Sequence, residues 1–343
     1  MKTFIQFGSF AALSFFVLCA AAPSGAGELA PGRHERAQIT GRDSEAEILK
    51  VGCGAAGPAT GSTSGFKILS NTDPFVYDCR IDHPRSGYKN TPGDTMDLKG
   101  KAALITGGGT GVGLSIALAL VADGCKVGLA GRRESALQEA VAHCRTELGP
   151  DAPAVVYHSA DVSDRDDVKR LFDWAAEELG PIDILVNSAG INVKNRAVSQ
   201  LSGEEFDKVM QVNCTGTFNT MWAVLPQMRE RKDGLIVNLN SIAGLRASPM
   251  AGVGYSASKF AMTALGIGVA NEEGDNGIRV TNVYPGEINT AILDQRPEPL
   301  SEERKASMLQ AEDLGALVAL IAKLPPRAHV AELVIKPTSQ KYR

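Results

Sequence analysis

Strong charge is the first thing this sequence does without. Its 343 residues carry 35 Lys and Arg against 39 Asp and Glu, a formal net charge of −4. That balance excludes the basic footprint of a nucleic-acid binder. Histidine is scarce too: there are five, scattered, and none sits in an HxxxH arrangement. The six cysteines include Cys125, Cys144 and Cys214 at no metal-ligand spacing. No metal site is expected, and these three read as buried thiols. What the chain has is apolar mass: 44% of it is hydrophobic, with 36 glycines and 17 prolines. That supports one large α/β domain with an appendage, or two domains.

The ends differ from the middle. Residues 1–22 have Lys2, then an apolar run from Phe4, then Ala20-Ala21-Ala22. That is the layout of a secretory signal peptide cleaved after Ala22; an uncleaved anchor or a start site placed too early gives the same pattern. Cys19 follows the large Leu18, which does not suit lipoprotein cleavage. Residues 23–95 are polar, without sustained periodicity, and are expected to hold little order. Cys53 and Cys79 lie there and could pair in an exported chain. At Met96 the character changes, and "MDLKGKAALITGGG" would make a natural start. The expected units are therefore 1–22, 23–95 and 96–343.

"ITGGGTGVGLSIALAL" (105–120) places five glycines in seven residues. Before it stands a short buried-strand run, Ala102–Ile105. After it, Leu114, Leu118 and Val121 fall on one helix face. The unit reads as strand, glycine turn, helix, and a helix N-terminus offers unpaired N–H groups and a positive dipole end to a phosphate. A second strand, Lys126–Ala130, ends at Gly131-Arg132-Arg133. In a dinucleotide unit an acidic residue about 20 positions beyond the turn holds the ribose 2′-OH of NAD. Here that place has no carboxylate, and Arg132 follows. A guanidinium suits the 2′-phosphate of NADP(H), so NADP(H) is preferred and NAD(H) is the alternative.

Further strands are expected at Ala154–Ala160, Ile182–Val186, Leu235–Leu239, Arg279–Val283 and Leu333–Ile335, with helical stretches between them. Strands alternating with helices give a seven-stranded, doubly wound parallel sheet of Rossmann type with helices on both faces. Ligands in such sheets lie beyond the carboxyl ends of the strands. Every candidate motif stands at such an end.

Tyr255 and Lys259 stand at i and i+4, on one helix face. An ammonium beside a phenol favours the phenolate, which would make Tyr255 a general acid or base near neutral pH. Ser241, 14 residues earlier at a strand end, can hold a carbonyl oxygen. Asn213 lies mid-helix by pattern, where Asn is mildly unfavourable, and suits a role in positioning water or Lys259.

In order and spacing these residues resemble a classical short-chain dehydrogenase/reductase. The resemblance runs from about Met96 to Thr338 and rests on Thr106-Gly107-xxx-Gly111-x-Gly113, Asp161, Asn187-x-Ala189-Gly190, Asn213, Ser241, Tyr255-xxx-Lys259 and Pro285-Gly286. It implies that Asn213, Ser241, Tyr255 and Lys259 form the catalytic set. It further implies that Gly107, Gly111 and Gly113 line the pyrophosphate, that Asp161 and Val162 flank the adenine, and that Asn187 stabilises the central sheet beside the cofactor. Lys259 would bind the nicotinamide ribose, and Thr290 the carboxamide. Thr110, Arg132, Arg133, Ala189, Gly190, Pro285, Gly286 and Ile288 complete the expected cofactor set. Three departures stand out, the first being a Ser241-to-Tyr255 interval one residue longer than the commonest form, which a loop at Leu245–Gly254 can absorb. Ser188 replaces a second Asn, and Thr110 replaces a basic residue found in some NADP-preferring members. The Tyr-xxx-Lys spacing argues against the enoyl-reductase branch.

The implied activity is hydride transfer between nicotinamide and a carbonyl or secondary alcohol, and the ending "LPPRAHVAELVIKPT" resembles members acting on small 3-hydroxy acids or 3-oxoacyl compounds. Arg246 and Arg296 could meet a substrate carboxylate but read first as surface residues, and 291–306 reads as a lid. Alternatives are an NAD-linked alcohol dehydrogenase, a non-catalytic NADP-binding regulator, and an exported binding protein. The intracellular cofactor favours the cytoplasm, with no stable membrane partner unless the N-terminal segment is retained. The resemblance implies a homodimer or homotetramer.

Overall fold

The computed structural model describes residues 66–67, 78–79, 95–290, 293 and 300–341. The signal-like segment, most of the polar extension, the Cys53–Cys79 pairing, Arg296 and half of the expected lid lie outside the described residues. The chain divides into two units, Met1–Gly87 and Tyr88–Arg343. In the first, Phe66–Lys67 pairs antiparallel with Asp78–Cys79.

The second unit carries seven strands: β1 (Ala102–Thr106), β2 (Lys126–Gly131), β3 (Val155–Ser159), β4 (Ile184–Asn187), β5 (Gly234–Leu239), β6 (Ile278–Pro285) and β7 (Glu332–Ile335). All neighbours pair in parallel, in the order β3-β2-β1-β4-β5-β6-β7. The central strands β1, β4, β5 and β6 are buried along their whole length. This is why they read as continuous apolar runs rather than alternating ones. Two apolar cores result, one on each face. Ile105, Ile116, Leu129 and Val186 belong to one. Leu104, Leu171, Leu185 and Ile236 belong to the other.

The helices are α1 (Gly111–Ala122), α2 (Glu134–Leu148), α3 (Arg165–Glu178), α4 (Gly203–Met210), α5 (Gly216–Arg231), α6 (Val253–Glu273), α7 (Glu302–Ala306) and α8 (Ala311–Ala322). The buried face of α1 is not the expected Leu114–Leu118–Val121 stripe. Gly113, Ile116, Ala117, Leu120 and Val121 are buried, while Leu114 and Leu118 are only half-buried. The helix is apolar all round because α8 covers it from the far side, so its sequence does not single out one face. Gly315 of α8 lies so close that a Cβ there would stand 2.6 Å from the Ser115 carbonyl oxygen.

Asn213 also departs from the mid-helix expectation. It sits in a π-helical turn, Gln211–Thr215, between α4 and α5. Such turns break the regular ladder and often accompany functional sites. Among the described residues no helix is long and apolar enough to cross a membrane. Cys125 and Cys144 are buried free thiols, and Cys214 is half-buried.

Candidate active site

A cleft of about 1290 Å³ opens along the carboxyl ends of the strands. Ordinary single-ligand pockets hold roughly 300–1,000 Å³. The extra room suits a dinucleotide together with a substrate. Its floor is the glycine turn between β1 and α1. Gly107 has φ +67°, and a Cβ on it would lie 2.8 Å from the Ala189 amide nitrogen. A Cβ on Gly113 would lie 2.3 Å from the Gly107 carbonyl oxygen. These two glycines serve the chain's own packing, letting α1 start hard against the turn. Gly111 behaves differently: the atoms nearest a Cβ there are those of the Thr290 side chain across the cleft, at 3.4 and 3.6 Å. The Thr110 side chain makes no capping bond, and the first turn of α1 holds no acidic residue. The helix-start N–H groups therefore keep their electropositive character for an anion. A cradle that a side chain would fill, backed by those donors, fits a pyrophosphate.

Thr106 ties the turn to the next loop. Its hydroxyl accepts the Ser188 and Ala189 N–H groups, each at 3.2 Å. At the far end Arg132 and Arg133 line the cleft with Asp161 and Val162. The Arg132 guanidinium stands 3.9 Å from the Asp161 carboxylate, and the pair is partly exposed. The Asp161 carboxylate also accepts from the Ser163 amide (2.9 Å) and hydroxyl (2.6 Å).

Asn187 does not line the cleft. It is buried in the sheet, where its Nδ2 donates to Asn238 Oδ1 at 3.0 Å and its Oδ1 accepts from Thr220 at 2.7 Å. Asn238 Nδ2 donates onward to Asn282 Oδ1 at 3.1 Å. The three asparagines stand in register on β4, β5 and β6. The role of sheet stabiliser thus fits Asn187 better than that of direct cofactor contact.

The chemistry-bearing residues meet midway along the cleft. Ser241 follows β5 and begins a short 3-10 turn, its Oγ accepting the Ala243 N–H at 3.1 Å. Tyr255 and Lys259 project from α6, and Ser241, Tyr255 and Lys259 all line the cleft. Lys259 is buried, with its Nζ donating to the Leu239 carbonyl at 2.9 Å and lying 5.7 Å from the Tyr255 ring centre. Burial pushes its ammonium down to about 7. Asn213 stands behind the cleft wall, fully buried. Its Oδ1 accepts the Ile191 N–H at 2.8 Å, and its Nδ2 donates to the Ile191 carbonyl and to the Ser258 hydroxyl, each at 3.0 Å. It pins the 190–192 loop to α6.

The expected lowering of the Tyr255 pKa by Lys259 is not what this geometry gives. Burial raises the phenol, and the Ser241 hydroxyl and the Arg196 charge pull it partly back. The reason is desolvation on both partners. An ammonium titrating near 7 offers only part of a charge at neutral pH.

The loop after Gly190, "INVKNR", is expected from the sequence to help build the substrate pocket, but nothing in that stretch singles out Arg196. Its Nε donates to Val193 O (2.9 Å) and its Nη1 to Met250 O (2.7 Å), joining two loops that wall the substrate end. Arg246, read first as a surface residue, lines the same end. No local pattern marks either, because both loops are irregular and meet only in three dimensions. Pro285, Gly286, Ile288 and Thr290 form the opposite wall, and Gly190 closes the middle. A Cβ at Gly190 would meet Asn213 Oδ1 at 3.5 Å and Lys259 Nζ at 3.8 Å.

Comparison with known proteins agrees with this architecture. The short chain dehydrogenase family model matches residues 101–300. An uncharacterized oxidoreductase of Listeria monocytogenes is 32% identical over 72% of this chain and all of its own length. The glycine betaine reductase ATRR of Emericella nidulans is 33% identical over 71% of this chain, which spans only 19% of that longer protein. Among solved structures, the alcohol dehydrogenase of the archaeon Thermococcus sibiricus complexed with 5-hydroxy-NADP has a TM-score of 0.63 at 29% identity. That match covers 71% of this chain and 99% of the other. The closed form of a serine dehydrogenase complexed with NADP+ has a TM-score of 0.62 at 28% identity, covering 70% and 96%. The chain belongs to the short-chain dehydrogenase/reductase family and is an NAD(P)-dependent oxidoreductase acting on CH–OH groups.

Proposed function

We propose that the protein is an NADP(H)-dependent oxidoreductase that interconverts a carbonyl and a secondary alcohol, with a small 3-hydroxy acid or 3-oxoacyl compound as substrate. The observation that carries this reading is the meeting of Ser241, Tyr255 and Lys259 in one cleft with the Gly111 cradle. The nicotinamide, when bound, supplies the hydride donor or acceptor. Ser241 orients the substrate oxygen with its hydroxyl. Tyr255 gives that oxygen a proton in reduction, and its raised pKa keeps the proton in place for that step at neutral pH; in oxidation it must first release its own proton before it takes the alcohol's. Lys259, poised near 7, would hold the nicotinamide ribose and exchange protons behind Tyr255. Asn213 acts by holding the loop and helix that frame Lys259.

Arg132 and Arg133 at the adenine end support NADP(H) over NAD(H). Arg196 and Arg246 at the substrate end support an acidic substrate, and so does the likeness to a serine dehydrogenase. Trp222 on α5 and Phe260 on α6 are exposed apolar side chains that support a homodimer or homotetramer. The need for NADP(H) is the support for a cytoplasmic site of action.

The test is Tyr255→Phe in the full-length chain. It removes the proton donor and little volume. Carbonyl reduction should fall by about 10²–10⁴-fold while coenzyme affinity stays within about twofold of wild type. Turnover that survives in this variant overturns the assignment.

A further inference from the structure

The reading above gives no role to the last described residues of the chain. After β7 the chain folds back to the cleft, and Gln340 and Lys341 line it beside Gly286 and Glu287. The return is a built turn. The Gln340 N–H donates to Pro337 O at 3.0 Å, and Lys336 Nζ donates to Gln340 O at 2.7 Å. This delivers the Gln340 side chain to the backbone after β6. Its Oε1 accepts the Glu287 N–H at 3.0 Å. The fit is close: a Cβ on Gly286 would stand 2.2 Å from that same oxygen. One residue earlier, the Gly286 N–H donates to Ile335 O at 2.7 Å. Two successive amides of the arm Gly286–Thr290, which follows β6, are thus held by the C-terminal segment.

The arm is fixed from the other side as well. Leu309 N–H donates to Glu287 O (3.1 Å), and Asn289 N–H donates to Leu309 O (2.8 Å). The Glu287 carboxylate is paired with Arg304 of α7. At its far end the arm presents Thr290 toward Gly111 across the cleft. An arm gripped on both edges and ending over the cradle sets the width of the cleft at that point.

We propose that Gln340 is a positioning residue: its side-chain oxygen sets the arm Gly286–Thr290 against the glycine turn and so fixes where the nicotinamide end of the dinucleotide rests. The proposal rests on the coenzyme assignment above. A tail that merely ties down the chain end would touch the surface anywhere. This one makes its side-chain contact on the backbone of a cleft wall, where a misplacement of about 1 Å can cost on the order of 100-fold.

The experiment compares full-length wild type, Gln340→Ala and Gln340→Glu. The Glu variant keeps an acceptor oxygen at the same reach, exchanges the amide NH₂ for a second oxygen and adds a negative charge. NADPH and NADH are titrated by nicotinamide fluorescence, and thermal unfolding is followed in parallel without nucleotide. We expect Gln340→Ala to bind NADPH about tenfold more weakly and to lose most of the fluorescence enhancement, with unchanged unfolding temperature. Gln340→Glu should return to within about twofold of wild type. An alanine variant that binds as wild type does, a glutamate variant as weak as alanine, or a loss of affinity that tracks a loss of thermal stability each overturns the positioning role alone. A wild-type chain that binds neither nucleotide overturns the coenzyme assignment and this inference with it.

Discussion

Lys259 is a buried ammonium whose Nζ meets one carbonyl and one thioether sulfur, so little offsets the loss of water around it. Burial lowers its pKa from 10.5 to about 7. The unfolded chain keeps that proton up to its ordinary value. Between about pH 7 and 10.5 the unfolded state therefore binds more protons, and raising pH through that window stabilises the fold; below about 7 the full cost of the buried charge is felt. Lys259→Met removes this dependence. Wild-type unfolding temperature should rise from pH 7 to 9.5 relative to the Met variant, both measured without nucleotide. Cys125, pushed up to about 12 by burial, works in the opposite sense above its ordinary 9.0, but it is common to both proteins. A flat difference curve would show that Lys259 titrates normally. The i, i+4 spacing of Tyr255 and Lys259 was legible in the sequence. The sign of the Tyr255 shift was not, because spacing says nothing of burial.

At the scale of elements, the asparagine ladder is the feature that local pattern hides. Asn187 stood out beside "SAG", but Asn238 and Asn282 lie inside mostly apolar strands with no motif around them. Only the sheet register places them side by side. From Asn282 the ladder passes through Nδ2 to the Thr263 carbonyl (3.3 Å), and Thr263 Oγ1 donates to the Lys259 carbonyl (3.1 Å). The sheet and the helix carrying Tyr255 and Lys259 are thereby cross-tied. Asn238→Ala leaves Asn187 Nδ2 and Asn282 Oδ1 unpaired in the sheet interior. At about 1–3 kcal/mol for each of the two buried unsatisfied groups, the loss should be roughly 2–6 kcal/mol, read by urea unfolding. A loss under about 1 kcal/mol would show that other partners satisfy those groups. The seven strands themselves were legible from their apolar runs, with edges off by a residue or two. The face of α1 was misread because its all-round apolar sequence has no polar side to contrast with a core.

For the whole molecule, the cleft joins ends of strands far apart in sequence, and the proposed choice of NADP(H) can be tested at its outer margin. There Arg132 has two competing roles. It stands 3.9 Å from Asp161 and bridges the loops after β2 and β3. It also follows β2 at the place where, in a dinucleotide unit, an Arg accommodates a 2′-phosphate, as proposed above. The pair is half-exposed and so weakly coupled, and a phosphate carrying more charge than a carboxylate should win the guanidinium. A ligand that binds only the folded state raises its stability by RT ln(1 + [L]/Kd). At equal concentrations NADPH should therefore raise the unfolding temperature of the wild type more than NADH does. An Arg–phosphate contact contributes about 1.5–3 kcal/mol, which corresponds to roughly ten- to a hundredfold in Kd. Arg132→Ala should erase that margin for NADPH and leave the NADH shift unchanged, since in the proposed reading the cradle and Lys259 would serve both nucleotides alike. If NADH protects the wild type as well as NADPH does, Arg132 is committed to Asp161 and the enzyme is NAD-linked. If Arg132→Ala weakens both nucleotides equally, the bridge it makes between the two loops matters more than its charge.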